Sequence, residues 1–452
     1  MNPKNIIFLI LFLLLITIIS SSTTVSFDSD GEGYAIADNI LTITGEGEYD
    51  FSGEEEDKEI LVDASCTLNF NGFTLINSNN LTPLLISSGK QVNLVINEYS
   101  TLTDSSNNEH EGTIYLENGA TLTISGTGGL TINPNKLMGI NGTTSTSLIV
   151  NDGANINIES TSENVGCMYL RKAITFNDVI LKCSATGDKY AFDSEGTIKL
   201  IQGTYTIGSS GSKGIHSENY IYIGEENGEI SDVALYLIAD KEGIEAKKIE
   251  IYLGTMQIIS GKGGISAASS GTDCDIETTK CRGNCACYIH YNGGKLAVVS
   301  WEDGIDSKGD IIIKGGNINI LASNVVDYQP ISQGGLLSIT GWTVFAAGSA
   351  HGVSCAETTQ IAKIYNGTTI NSGAELVVRN NDGELIGSIR LSNDVNYFYF
   401  NNESPFTITI DNNEITLSEP SLNEEQCGKV DNEGNNLISL NLIIFIIAIF
   451  GF

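Results

Sequence analysis

Residues 300–323 read SWEDGIDSKGDIIIKGGNINILAS. The second half, IIIKGGNINI (311–320), alternates apolar and polar residues on either side of a Gly-Gly pair. That is the pattern of two short strands joined at a tight corner. The first half sets Asp303 and Asp306 just ahead of those strands. Units of the same form recur: TLNFNGFTLI (67–76), VNLVINEYSTLT (92–103), IYLENGATLTI (114–124), LIVNDGANINI (148–158), ITFNDVILKC (174–183), IKLIQGTYTI (198–207), IEIYLGTMQI (249–258), IHYNGGKLAVV (289–299) and LSITGWTVFAA (337–347). Residues 221–238 form a longer version with an insertion. Steps of about 20 to 40 residues, most near two dozen, are the period of a solenoid. One such turn cannot bury its apolar face alone. Stacked turns bury Ile, Leu and Val in a continuous column, and each backbone pairs with the turn above and below. Gly and Asn supply the tight corners. The reading is therefore an all-β parallel β-helix spanning residues 63–354.

The flanks read differently. Residues 23–62 are expected to cap the open N-terminal end, since an exposed coil end invites strand pairing. Residues 355–418 contain runs joined by hairpin signals such as Asn381-Asp382-Gly383, and are read as a small C-terminal antiparallel β-module. Residues 419–436 read as a linker. Residues 1–22 have the form of a signal peptide: Lys4, an apolar run from Ile6 to Ile19, then small residues Ser20–Ser22. Residues 437–452, LISLNLIIFIIAIFGF, end the chain in a second apolar run with no basic residue after it. With the polar stretch before it, this tail resembles a GPI-attachment signal, with a plain membrane anchor as the alternative. An extracellular, cell-surface location follows.

That location organises other features. Sequons place candidate glycosylation at Asn80, Asn141, Asn366 and Asn402, the last with Pro405 close behind. Of nine cysteines, Cys274, Cys281, Cys285 and Cys287 crowd into CDIETTKCRGNCAC and are read as disulfide formers stapling a loop rather than as zinc ligands. The formal net charge of −32 excludes a nucleic-acid partner and disfavours anionic lipid. It suits cation binding.

The opening stretch belongs to a second series. A four-residue block with a small second and apolar third residue precedes several strands: MGIN (138–141), YAFD (190–193), KGIH (213–216), EGIE (242–245), GGIS (263–266), DGID (303–306) and NVVD (324–327). Equivalent positions of a parallel coil stack about 4.8 Å apart. The fourth positions then form a column of Asp193, His216, Glu245, Ser266, Asp306 and Asp327, with Glu242 and Asp303 beside it. Neighbouring carboxylates about 5 Å apart repel by roughly 3 kcal/mol at an effective dielectric near 20. Calcium, a hard cation available outside cells, would neutralise them. Exposed turn acids without a metal are the alternative.

The blocks KGIHSENYIYI, EGIEAKKIEI, GGISAAS and DGIDSKGDIIIKGGNINI, followed by VVDYQPISQGGLLSITGWTVFAAGS, resemble a family of secreted carbohydrate-binding proteins known from cellulolytic anaerobic bacteria. The resemblance covers roughly residues 185–350. It implies a right-handed, pectate-lyase-like parallel β-helix that is not catalytic and binds Ca2+ and polygalacturonate. It carries acidic metal-ligand roles onto Glu242, Glu245, Asp303, Asp306 and Asp327. Lys213, Gly263 and Ser266 stand where that family often has Asp, so some metal sites are expected to be lost.

The function expected is calcium-dependent binding of acidic plant-type polysaccharide, with cellulose a further candidate, by a tethered monomer. A calcium ligand set of Glu242, Glu245, Asp303, Asp306, Asp327 and Asp193 is expected, with Trp301 and Tyr328 stacking on sugar. Two alternatives stand: a surface adhesin or wall protein with structural calcium only, and a polysaccharide lyase. A lyase needs a strong base, and of four arginines only Arg171 lies on a predicted turn of the coil.

Overall fold

The computed structural model describes residues 22–418, apart from 106–109, 161, 227–232, 269–285, 324, 326–327, 342, 349–355 and 359–360. All its regular elements are strands. They wind into a parallel β-solenoid of about 11 turns, followed by a four-stranded antiparallel sheet at the C-terminal end.

Each turn contributes three strands, and each strand pairs in parallel with its equivalent one turn away. The first column runs Ile40–Ile43, Glu59–Val62, Leu84–Ile86 and on to Ile305–Ser307 and Ile331–Gln333. The second includes Thr121–Ser125, Ala173–Phe176 and Asp310–Ile313. The third includes Asn155–Glu159, Val179–Thr186, Val233–Ala239 and Asn317–Leu321. The repeated units of the sequence are the second and third strands of one turn. IYLENGATLTI is the exception, joining a first to a second strand.

The interior follows from strand alternation. In the first column Ile60, Leu84, Ile114, Ile140, Met168, Phe192, Ile215, Ile244, Ile265, Ile305 and Ile331 lie in register. All are buried in one core that runs through the coil. A disulfide, Cys167–Cys183, ties the first strand of one turn to its third inside that core. No sequence pattern had marked it. Both cysteines are buried, Cys183 at an inward position of its strand and Cys167 at the small second position of its block.

The second block position is small for a steric reason. A Cβ on Gly243 would lie 2.5 Å from Ile258 Cγ2 and 2.6 Å from the Gly264 carbonyl oxygen. A Cβ on Gly264 would lie 2.2 Å from Val298 Cγ1 and 2.5 Å from the Gly304 carbonyl oxygen. The first strand therefore enters each turn pressed against both the next turn and a third-column side chain.

Both ends are closed. The segment expected to be only a cap, 23–62, already contains the first turns of the coil. Tyr34–Ala37 and Ile40–Ile43 form an antiparallel hairpin whose second strand starts the first column. Phe27 covers that end, its ring 6.1 Å from Phe73 and 6.2 Å from Phe51. At the other end Val395–Asn402 pairs antiparallel with Thr343–Gly348, the last third-column strand. Phe398 and Phe400 then join Leu321, Phe345 and Ala347 in a separate apolar cluster.

Candidate functional site

The outward residues of the first column form the predicted stack. Strand register sets Tyr169, Asp193, His216, Glu245, Ser266, Asp306 and Ser332 one above another. The last member corrects the sequence reading. NVVD is not the block of its turn; QPIS (329–332) is, because Gly304 N–H donates to the Gln329 carbonyl and Asp306 pairs with Ser332. An insertion before Pro330 shifted the true block by five residues. Asp327 therefore does not hold the column position assigned to it, and it lies outside the described residues. The first block positions stack as well: the backbone ladder runs from Lys213 through Glu242 and Gly263 to Asp303.

The column divides into two parts with different electrostatics. In the upper part basic groups interleave with the acids. Lys213 Nζ donates to Glu245 Oε1 at 2.5 Å. His216 Nδ1 meets Asp193 Oδ1 at 2.7 Å, and its Nε2 lies 3.7 Å from Glu245 Oε1. Burial alone would pull the Lys213 amine down. The hydrogen bond and charge of Glu245, helped by Tyr190 and Glu242, outweigh it and hold the amine above its ordinary range. Glu245 is thus paired with a cation from within the chain, and Asp193 is hydrogen-bonded to His216. The residue that departs from the acidic pattern, Lys213, is the one that supplies that cation.

The lower part has no such partner. Among the described residues neither Asp303 nor Asp306 makes an ion pair. Asp303 Oδ1 accepts the Gln329 backbone N–H at 2.6 Å. Asp306 Oδ2 accepts from Ser266 Oγ at 3.4 Å, and Ser332 donates to the same carboxylate. Desolvation, then the charge of Asp306, pushes the Asp303 carboxyl up to about 7. Desolvation raises Asp306 too, against the pull of Lys308 and the two serines. Two half-buried carboxylates and two hydroxyls make an oxygen-only donor set, which suits a hard cation. Among the described residues no three His, Cys, Asp or Glu side chains converge as ligands. A cation held here would take its remaining ligands from water, backbone carbonyls or a bound molecule.

Two aromatic residues lie close to this pair along the chain. Trp301, 58% exposed, opens the turn that carries Asp303 and Asp306. Tyr328 precedes Gln329, whose N–H reaches Asp303 from the next turn. Arg171 is engaged elsewhere, 3.3 Å from Glu195 and over the Tyr169 ring.

The candidate glycosylation sites and the cysteines differ in their surroundings. Asn80 and Asn366 are exposed. The Asn141 amide donates to the Glu111 carbonyl at 3.3 Å, and the Asn402 amide to the Ser404 carbonyl at 3.1 Å. Cys287 is buried and disulfide-bonded. Cys274, Cys281 and Cys285 lie outside the described residues, as do the linker and the apolar tail. Cys66 is a buried free thiol, which burial pushes up to about 12.

Fold and site together define a parallel β-solenoid whose polar side chains are displayed in columns on flat outer faces. The chain belongs to a family described as carbohydrate-binding domain-containing proteins, which it matches over residues 37–236 and 202–387. Among solved structures it is similar to the polysaccharide lyase-like protein from C. thermocellum, determined as a gadolinium derivative. That likeness is 18% in identity, covers 71% of this chain and 97% of the other, and has a TM-score of 0.28. No curated protein matches the chain.

Proposed function

We propose that this protein holds acidic polysaccharide at a cell surface through calcium shared between sugar carboxylates and the Asp303–Asp306 pair. The observation that carries the reading is that, among the described residues, neither of these two half-buried carboxylates makes an ion pair, while Glu245 above them is paired with Lys213. A protein of net charge −32 repels a polyuronate, and a divalent cation between the two reverses the sign of that interaction. Asp303, Asp306, Ser266 and Ser332 would hold the ion. Trp301 and Tyr328 would stack on neighbouring sugar rings. Membership of a carbohydrate-binding family supports a polysaccharide as ligand.

Binding without cleavage is our reading of the chemistry. The arginine that a lyase mechanism would recruit, Arg171, is tied to Glu195. The N-terminal apolar segment and the C-terminal tail support secretion and tethering, by a GPI anchor or a membrane segment.

The test is retention of the full-length protein on immobilised polygalacturonate, first with calcium and then with chelator. Retention that disappears with chelator, and in Asp303→Asn/Asp306→Asn with calcium present, is expected. Retention indifferent to chelator would sink the proposal. No retention in either state, with calcium still raising the melting temperature, would favour the adhesin reading with a structural ion.

A further inference from the structure

The third column carries a groove that none of the residues above uses. It is a depression of about 480 Å³ on the outer face of the coil, lined by Asn133, Glu159, Lys182, Ser184, Thr206 and Tyr236, with Ile238 at its rim. Register explains how these side chains meet. Asn157, Lys182, Thr206 and Tyr236 stack in one file, and Glu159, Ser184, Gly208 and Ile238 in the file beside it. The groove lies where Ser184, Thr206 and Gly208 are small, between the side chains of Glu159 and Lys182 on one side and those of Tyr236 and Ile238 on the other.

The two ends have different chemistry. At one end Lys182 Nζ bonds Glu159 Oε1, so the local charge sums to zero. Asn133 donates to Thr103 there, and the Oδ1 of Asn157 beside it is buried without a hydrogen-bond partner. At the other end Tyr236 and Ile238 are 39% and 38% exposed, an apolar wall that the described residues leave uncovered. Further along the same face the equivalent positions are covered: Leu321, Phe345 and Ala347 lie under the C-terminal module. At the groove, among the described residues, no such module covers the face.

A pyranose has one face of C–H groups and a rim of hydroxyls. Tyr236 offers a ring for the first. Asn133, Glu159, Lys182, Ser184 and Thr206 offer donors and acceptors for the second. Turns of the coil are about 4.8 Å apart, close to the length of one sugar along an extended chain, so successive residues of a glycan would meet equivalent positions. The paired charges select neither a uronate nor a cation. We infer that this groove binds a neutral segment of a glycan chain, lying along the coil axis and without calcium. The inference is independent of the carboxylate pair, which sits on the first column.

The experiment titrates the full-length protein, in chelator, with soluble neutral hexasaccharides of glucose, xylose and mannose, read by saturation-transfer NMR. Two variants report on the groove. Tyr236→Ala removes the stacking ring. Gly208→Leu plugs the floor; its backbone is not in the left-handed region, and a Cβ there meets nothing closer than 3.9 Å, so the fold accommodates it. At least one hexasaccharide is expected to bind. Tyr236→Ala should weaken it about tenfold, and Gly208→Leu should abolish it with the melting temperature unchanged. Both variants should keep calcium-dependent retention on polygalacturonate. No binding by the wild type, or equal binding by Gly208→Leu, would overturn the inference. A concentration-dependent dimer broken by Gly208→Leu would also overturn it, by giving the groove to a second copy of the chain.

Discussion

Lys213 reaches across one turn of the coil to place its Nζ 2.5 Å from Glu245 Oε1. Both side chains are largely buried, at 18% and 15% exposure. Such a charge-assisted bond contributes about 2 kcal/mol, and removing one partner leaves the other desolvated and unpaired. Lys213→Ala should therefore cost about 2 kcal/mol in urea unfolding, with Glu245 left beside Asp193 and His216. Lys213→Arg should recover most of it. A loss below about 0.5 kcal/mol would place this pair with ordinary surface ion pairs.

The carboxylate pair predicts an unusual pH dependence. Asp303 is pushed up to about 7 by desolvation and by Asp306. Between the ordinary carboxylate range and that value, the folded chain holds a proton the unfolded chain has released. Stability then falls as pH rises, opposite to the behaviour of a salt-bridged aspartate. In chelator, the melting temperature should decline from about pH 4 to about pH 7 and level off above. Asp303→Asn should flatten that slope. Calcium should raise the wild-type melting temperature at pH 7.5 and leave Asp303→Asn/Asp306→Asn unmoved. A wild-type profile already flat in chelator would show that the pair titrates as exposed acids.

How far the sequence reached is visible in the blocks. KGIH, EGIE, GGIS and DGID repeat locally, so the column from His216 to Asp306 was legible before any coordinate. The last block was not, because QPIS carries no glycine and no acid, and NVVD imitates the pattern just ahead of it. Periodicity also located the second and third strands of each turn through their Gly-rich corners. The groove was not legible. It comes from side chains on four separate turns, with no shared motif, and only the register brings Glu159, Ser184, Gly208 and Ile238 into one file. Compensation of the upper acids was half legible: Lys213 stood out as a departure, but its partner is the acid one turn on.

The glycine at the second block position gives a third prediction. Gly264→Ala brings a methyl to 2.2 Å from Val298 Cγ1 and 2.5 Å from a backbone oxygen of the next turn. Overpacking of this kind costs typically 1–3 kcal/mol, and here the backbone contact leaves little room to relax. Gly264→Ala should lose about 2 kcal/mol or more in chemical denaturation. Gly263→Ala, one residue earlier, meets only atoms 3.9 Å away and should be close to neutral. Equal losses for the two would remove the close approach of the turns as the reason for the block.

The disulfide is the last test, and it separates the coil from its ends. Cys167 and Cys183 close a span of 16 residues within one turn, in the middle of the solenoid. Closing a loop of that length stabilises a fold by about 3 kcal/mol through the unfolded state. In a coil, stability is roughly the sum of each turn and its contacts with neighbours. Cys167→Ala/Cys183→Ala should therefore weaken the central turns first. Hydrogen exchange should speed up in Ala173–Phe176 and Thr197–Leu200, which flank the bridge, before it does in Asp310–Ile313. Uniform acceleration along the whole coil would mean that it unfolds as one cooperative unit, and the bridge would then act on global stability alone.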